Sequence, residues 1–170
     1  RRSSDLKENI GYSIIQNSNV GKLVAEESNK IISNKEINKK IIDYDKKPYL
    51  ITGNTTLNDL IESSTILQFA INEDLIIAIT NYLNEIPILR NIDILYSPYT
   101  PSKKYQGSQL FHCDWEDERQ IKLFVFSNNI GINGGPFNLI NAKKSQEIKR
   151  KINYKYSNRV QDQLINKFSK

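Results

Sequence analysis

Gln109-Leu110-Phe111-His112-Cys113-Asp114-Trp115-Glu116-Asp117-Glu118-Arg119-Gln120-Ile121-Lys122-Leu123-Phe124-Val125-Phe126 is the stretch on which the reading of this 170-residue chain turns. It holds the chain's only histidine, only cysteine and only tryptophan. Gln109 to Cys113 reads as one strand and Gln120 to Phe126, rich in β-forming side chains, as the next. The acidic turn Asp114 to Glu118 joins them. Residues two apart in a strand share a face, so His112 and Asp114 offer an imidazole and a carboxylate together at a strand end. Cys113 then points away and reads as a small core residue.

Working outward, the segment before this stretch has the same period of two. Ile88, Ile92, Ile94 and Tyr96 fall on one face of a strand that starts after Pro87. On the other side, Asn133-Gly134-Gly135-Pro136 is turn chemistry, and Phe137 to Ile140 is a fourth short strand. Upstream of Pro87 the period is helical. Asn72 caps a helix whose apolar stripe is Leu75, Ile76, Ile79, Tyr82, Leu83 and Ile86. Thr55 or Thr56 caps a shorter one with Leu57, Leu60 and Ile61, and Asp59 sits where the positive helix end favours it. The pairs Leu23-Val24, Ile31-Ile32 and Ile41-Ile42 predict an amphipathic helix from Lys22 to about Asp45, ended by Pro48. Tyr49-Leu50-Ile51 is extended, and Gly53-Asn54 is a turn. A terminal helix would use Val160, Leu164 and Phe168.

The expected architecture is therefore α+β, in one domain over residues 1–170. Residues 1–87 form a mainly helical N-terminal part, 88–140 the strands with the His-x-Asp motif, and 141–170 a basic, partly helical segment. The net charge of +5 lies in that last segment, which carries +7 against −2 for residues 1–140. A basic tail without interleaved aromatics reads as a solvated segment, and no nucleic acid is expected as a partner. A nucleic-acid or interaction module is the remaining reading of those cations. No apolar run approaches the roughly 18 residues of a membrane span, and a single cysteine fits a reducing, cytoplasmic setting. The chain opens on Arg1-Arg2 and has no methionine, from which a piece of a longer protein is expected.

An N/O donor pair suits a divalent iron, and a two-histidine, one-carboxylate facial triad leaves three positions open for cosubstrate and oxygen. A bare His-x-Asp reads by default as a surface histidine beside an acidic turn. The run from Ser108 to Phe126, followed by Gly134-Gly135-Pro136-Phe137, resembles the phytanoyl-CoA dioxygenase-like family over about 30 residues. That family has an aromatic-flanked H-x-D, an acidic segment, a K-L-F-type strand and a Gly-Pro turn. The resemblance implies a double-stranded β-helix (jelly roll), incomplete in this chain, and an oxygenase dependent on Fe(II) and 2-oxoglutarate. Its partners would be O₂ and a small-molecule substrate.

On the same resemblance, His112 and Asp114 are the proximal iron ligands, and no other residue is assigned to catalysis or to cofactor binding. A carboxylate at Asp114, where related halogenases carry a small residue, favours hydroxylation. The family's second histidine and its 2-oxoglutarate-pairing arginine lie further downstream. This sequence has no second histidine, so the enzyme is expected to be the longer protein. The alternative of the same descent is a jelly-roll protein that has lost the metal and binds a small molecule without turnover.

Overall fold

The computed structural model describes residues 10–16, 18–36, 49–52, 56–99, 105–114 and 119–168. The end of the first expected helix, the Gly53-Asn54 turn, Thr55, Trp115 and the acidic residues Glu116 to Glu118 lie outside them. The chain falls into two compact units. The first takes the described residues of Ile15–Thr100 and Ile121–Pro136, the second those of Ser4–Ile14, Pro101–Gln120 and Phe137–Lys170.

In the first unit, α1 (Asn19–Asn34) starts where the Ser18 hydroxyl accepts a hydrogen bond from the Gly21 amide, satisfying one of the donors a helix start leaves over. The helix ends at Asn34, and Glu36 turns into the left-handed region with φ 48°. Its buried residues are Val24 and Ile31, seven apart and so on one face. Leu23, the other half of the expected pair, is exposed. Beyond β1 (Ile51–Thr52), α2 (Leu57–Glu62) opens with a reciprocal cap. The Thr56 hydroxyl accepts from the Asp59 amide, and the Asp59 carboxylate accepts from the Thr56 amide at 2.6 Å.

Helix α3 (Ser64–Ala70) follows at once and had no counterpart among the sequence expectations. It places Ile66, 4% exposed, against Val24, Ile31 and Ile94, with Leu60, Phe69 and Ile92 packed on the cluster. Helix α4 (Glu73–Leu83) is capped by Asn72, whose side-chain oxygen accepts from the Leu75 amide at 3.1 Å. It ends at Asn84, φ 56°, before Pro87 is reached. None of its residues is buried, and Ile76 of the expected stripe is exposed.

The strand read over Ile88 to Tyr96 is a correction in part. Only β2 (Leu95–Tyr96) pairs, antiparallel to β1, with Ile51 opposite Tyr96 and Thr52 opposite Leu95. Ile92 and Ile94 do turn into the core with a period of two, whereas Ile88 is 92% exposed. The stretch Ile121 to Phe126, expected as a strong strand, forms no ladder among the described residues. Within it the Phe124 and Phe126 rings stack 6.5 Å apart. The Gly-rich turn is present as a 3-10 turn, Ile132–Gly134, closed by Gly135 at φ 70°.

The second unit is built around α5 (Ala142–Lys151), which the Asn141 side chain caps by accepting from the Lys144 amide at 2.8 Å. Lys149, Arg150 and Lys151 occupy its last turn, where the helix dipole favours cations. Ile148, 4% exposed, packs with Val160 and with Ile165 of α6 (Asp162–Asn166); Phe111, Ile140, Ile152, Tyr154 and Phe168 surround them. The terminal helix thus buries Ile165 rather than Leu164, which is exposed. Gly11 lies against the start of α5. Its φ is 77°, and a Cβ there would meet that of Ala142 at 3.1 Å. Phe137 to Ile140, read as a strand, forms no ladder among the described residues.

The architecture among the described residues is thus mixed, largely helical with little strand. A jelly roll is not shown: the pairings are the short β1–β2 ladder and a single bridge, Phe111 to Val160. Strand propensity measures how well a side chain fits a half-buried pleated surface, and it yields a ladder only where a partner strand is supplied. Among the described residues no helix is long and apolar enough to cross a membrane.

Candidate functional site

His112 is positioned by its immediate neighbours. The Phe111 amide donates to the Val160 carbonyl at 3.1 Å, and the Val160 amide returns a bond to the Phe111 carbonyl at 2.9 Å. This closed pair fixes the backbone on the N-terminal side of the histidine. On the C-terminal side, the Cys113 amide donates to the Tyr154 hydroxyl at 2.9 Å, and that hydroxyl donates to the Asn158 carbonyl at 3.3 Å. Burial, the largest influence, pushes the Tyr154 phenol above its ordinary value, which keeps it a neutral donor. Leu110 is buried and Phe111 packs on the Ile148 cluster, so the segment is anchored by side chains as well.

The imidazole itself is tethered. Its Nδ1 lies 2.7 Å from the Leu110 carbonyl oxygen. A carbonyl only accepts, so Nδ1 carries the hydrogen and Nε2 is the nitrogen left to bind a proton or a metal. Nε2 faces Asp114 Oδ1 at 3.4 Å, with the two side chains 20% and 40% exposed. The structure therefore brings together the two residues singled out in the sequence, although residues 112–114 belong to no ladder.

The donor chemistry can be tested against a metal. Two ligand atoms held about 2.1 Å from one ion at right angles lie roughly 3 Å apart, close to the spacing of Nε2 and Oδ1. A histidine whose other nitrogen donates to a backbone carbonyl is the usual form of a metal-binding imidazole. The pair fits as two ligands. Among the described residues no group of three His, Cys, Asp or Glu side chains is assembled, so the facial triad is not completed there.

Cys113 is half-buried, and Lys122 is exposed. The Asn141-Ala142-Lys143-Lys144-Ser145 run forms the cap and first turn of α5. Sequence reading missed the contribution of Tyr154 and Val160. Neither carries a motif, and both act through pairing across a long stretch of chain.

Part of the basic segment is engaged within itself. Lys144 and Lys151 both pair with Glu147, at 3.1 and 2.7 Å, and hold its carboxyl below the ordinary range. Lys149 lies 5.8 Å from the centre of the Tyr156 ring, and Lys151 lies 5.4 Å from that of Phe168. Comparison of the chain with family models, with curated proteins and with solved structures gives no match.

Proposed function

We propose that His112 and Asp114 are two of the protein ligands of a non-haem iron centre in a 2-oxoglutarate-dependent oxygenase resembling the phytanoyl-CoA dioxygenases. The observation that carries this reading is the tethered imidazole: Nδ1 is occupied by the Leu110 carbonyl while Nε2 stands 3.4 Å from the Asp114 carboxylate. Leu110 sets the tautomer and ring direction, and the Phe111–Val160 bridge and Tyr154 hold the backbone on either side. Bound iron would supply the activation of O₂ with 2-oxoglutarate as the electron source, directed at a C–H bond of a small molecule. The reading carries with it the jelly roll that the resemblance implies, and a third ligand that is not a histidine of this sequence.

The chain titrated anaerobically with Mn(II) as a stand-in for Fe(II) gives the first test. Paramagnetic broadening should centre on residues 110–114 and vanish in both His112→Ala and Asp114→Ala. Broadening that persists in His112→Ala would overturn the assignment. Fe(II)-dependent formation of succinate from 2-oxoglutarate, lost in His112→Ala, then tests the reaction.

A second reading is a protein of the same descent that binds a small molecule without turnover. The pair of donors, two rather than three among the described residues, is the observation in its favour. Binding of a small molecule with neither metal binding nor succinate formation would select it.

A further inference from the structure

A cleft of about 440 Å³ lies between the end of α5 and α6, within the second unit. Its apolar lining residues are Ile152, Val160 and Leu164. Arg159 and Lys167 line it together with Gln161 and Gln163. This is the composition of a small-molecule site: an apolar bed with a few polar groups that fix orientation.

The cations of this cleft differ from those the structure holds in ion pairs. Lys30 pairs with Glu27, Lys35 with Asp59, and Lys144 and Lys151 with Glu147. Among the described residues no carboxylate pairs with Arg159 or Lys167. The guanidinium of Arg159 is instead steadied on backbone, donating from Nη1 to the Asn158 carbonyl at 3.3 Å. That carbonyl also accepts from Tyr154, so the arginine's anchor is itself tied to the folded core. One of the five guanidinium donors is used in this way, and the remaining fork suits an oxyanion.

We infer that this cleft is a binding site for a small organic anion, with a carboxylate or phosphate group held by Arg159 and Lys167 and an apolar body resting on Ile152, Val160 and Leu164. The amides of Gln161 and Gln163 supply both donors and acceptors, and would orient polar substituents on that body. This inference stands apart from the iron reading and does not depend on it.

Nuclear magnetic resonance titration of the whole chain tests it, with phenyl phosphate, 3-phenylpropionate and inorganic phosphate as probes. Shifts should concentrate on the side-chain amides of Gln161 and Gln163 and on the backbone of residues 158–167. Arg159→Gln and Lys167→Gln should each weaken binding about tenfold, as loss of one charge-assisted hydrogen bond does. Lys143→Gln, on α5 and outside the cleft lining, should leave it unchanged. The tighter organic probe identifies the headgroup, and inorganic phosphate should be the weaker phosphate ligand because it leaves the apolar lining uncovered.

The inference is overturned if neither organic probe shifts these residues. Equal weakening by Lys143→Gln would also overturn it, showing diffuse charge instead of a site. If Arg159→Gln loses its dispersed spectrum, Lys167→Gln decides the matter, because that side chain takes no part in the Tyr154–Asn158 anchor.

Discussion

The core beneath α1 and the core beneath α5 contain the same kinds of side chain, but they are closed by different contacts. Val24 and Ile31 of α1 meet Ile66 of α3, and the helices α1 and α2 begin at hydroxyl caps three residues from the amides they satisfy. Ile148 and Ile165 instead depend on Val160, which is held by an exchange of hydrogen bonds with Phe111. A second tie, from the Cys113 amide to Tyr154, spans 41 residues. The caps that start the first core's helices are settled within one turn of chain, although Ile94 closes that core from far along the sequence; the surroundings of His112 exist only once distant segments have met. The difference teaches that the candidate site inherits its geometry from tertiary pairing, not from local propensity.

The largest effects should come from emptying either core. Ile66→Ala and Ile148→Ala should each cost about 2–5 kcal/mol in urea denaturation, as deletions of buried aliphatic groups do. Only Ile148→Ala should also move the His112 ring resonances, because Phe111 packs on Ile148's cluster; an unmoved ring would break the comparison. Tyr154→Phe comes next, at about 1.5 kcal/mol, since it removes the acceptor of the Cys113 amide and the donor to the Asn158 carbonyl. Its ring-resonance shift at His112 should exceed that of any cap variant.

Thr56→Ala and Asn72→Ala should each cost about 1 kcal/mol, measured by thermal unfolding, the usual loss for a removed N-cap. The smallest effect is that of pH on Asp59. Bonds from Lys35, then from the Thr56 hydroxyl and amide, hold its carboxyl down at about 2. A depressed carboxylate contributes stability above its unfolded value near 4, and that contribution is lost as pH falls toward 2. The difference in melting temperature between the parent chain and Asp59→Asn should therefore shrink across that window.

What the sequence disclosed follows the same division. Thr56, as one of two adjacent candidates, and Asn72 were legible because a cap is decided within three residues, while the return bond from the Thr56 amide to Asp59 was not. Ile92 and Ile94 were legible through their alternation, and their strand was overdrawn because alternation does not reveal whether a partner lies alongside. Helix α5 was seen only as a partly helical basic segment. Its single buried residue, Ile148, leaves no apolar stripe, and its regularity comes from good helix formers and the Lys144–Glu147–Lys151 pairs. Helix α3 carries Ile66 and Phe69 three apart, a signal too short to stand out beside α2. The adjacency of His112 and Asp114 followed from their spacing. The Leu110 tether did not, since nothing in a sequence reports which carbonyl an imidazole will reach.

That tether also gives the molecule its own probe. With a single imidazole in 170 residues, the two ring nitrogens form one isolated spin system, with no neighbour of the same type to overlap it. A hydrogen fixed on Nδ1 by Leu110 gives each nitrogen a distinct chemical shift. Occupation of Nε2, by a proton or by an ion, can then be followed in the unmutated, nitrogen-15-enriched chain without a resonance assignment.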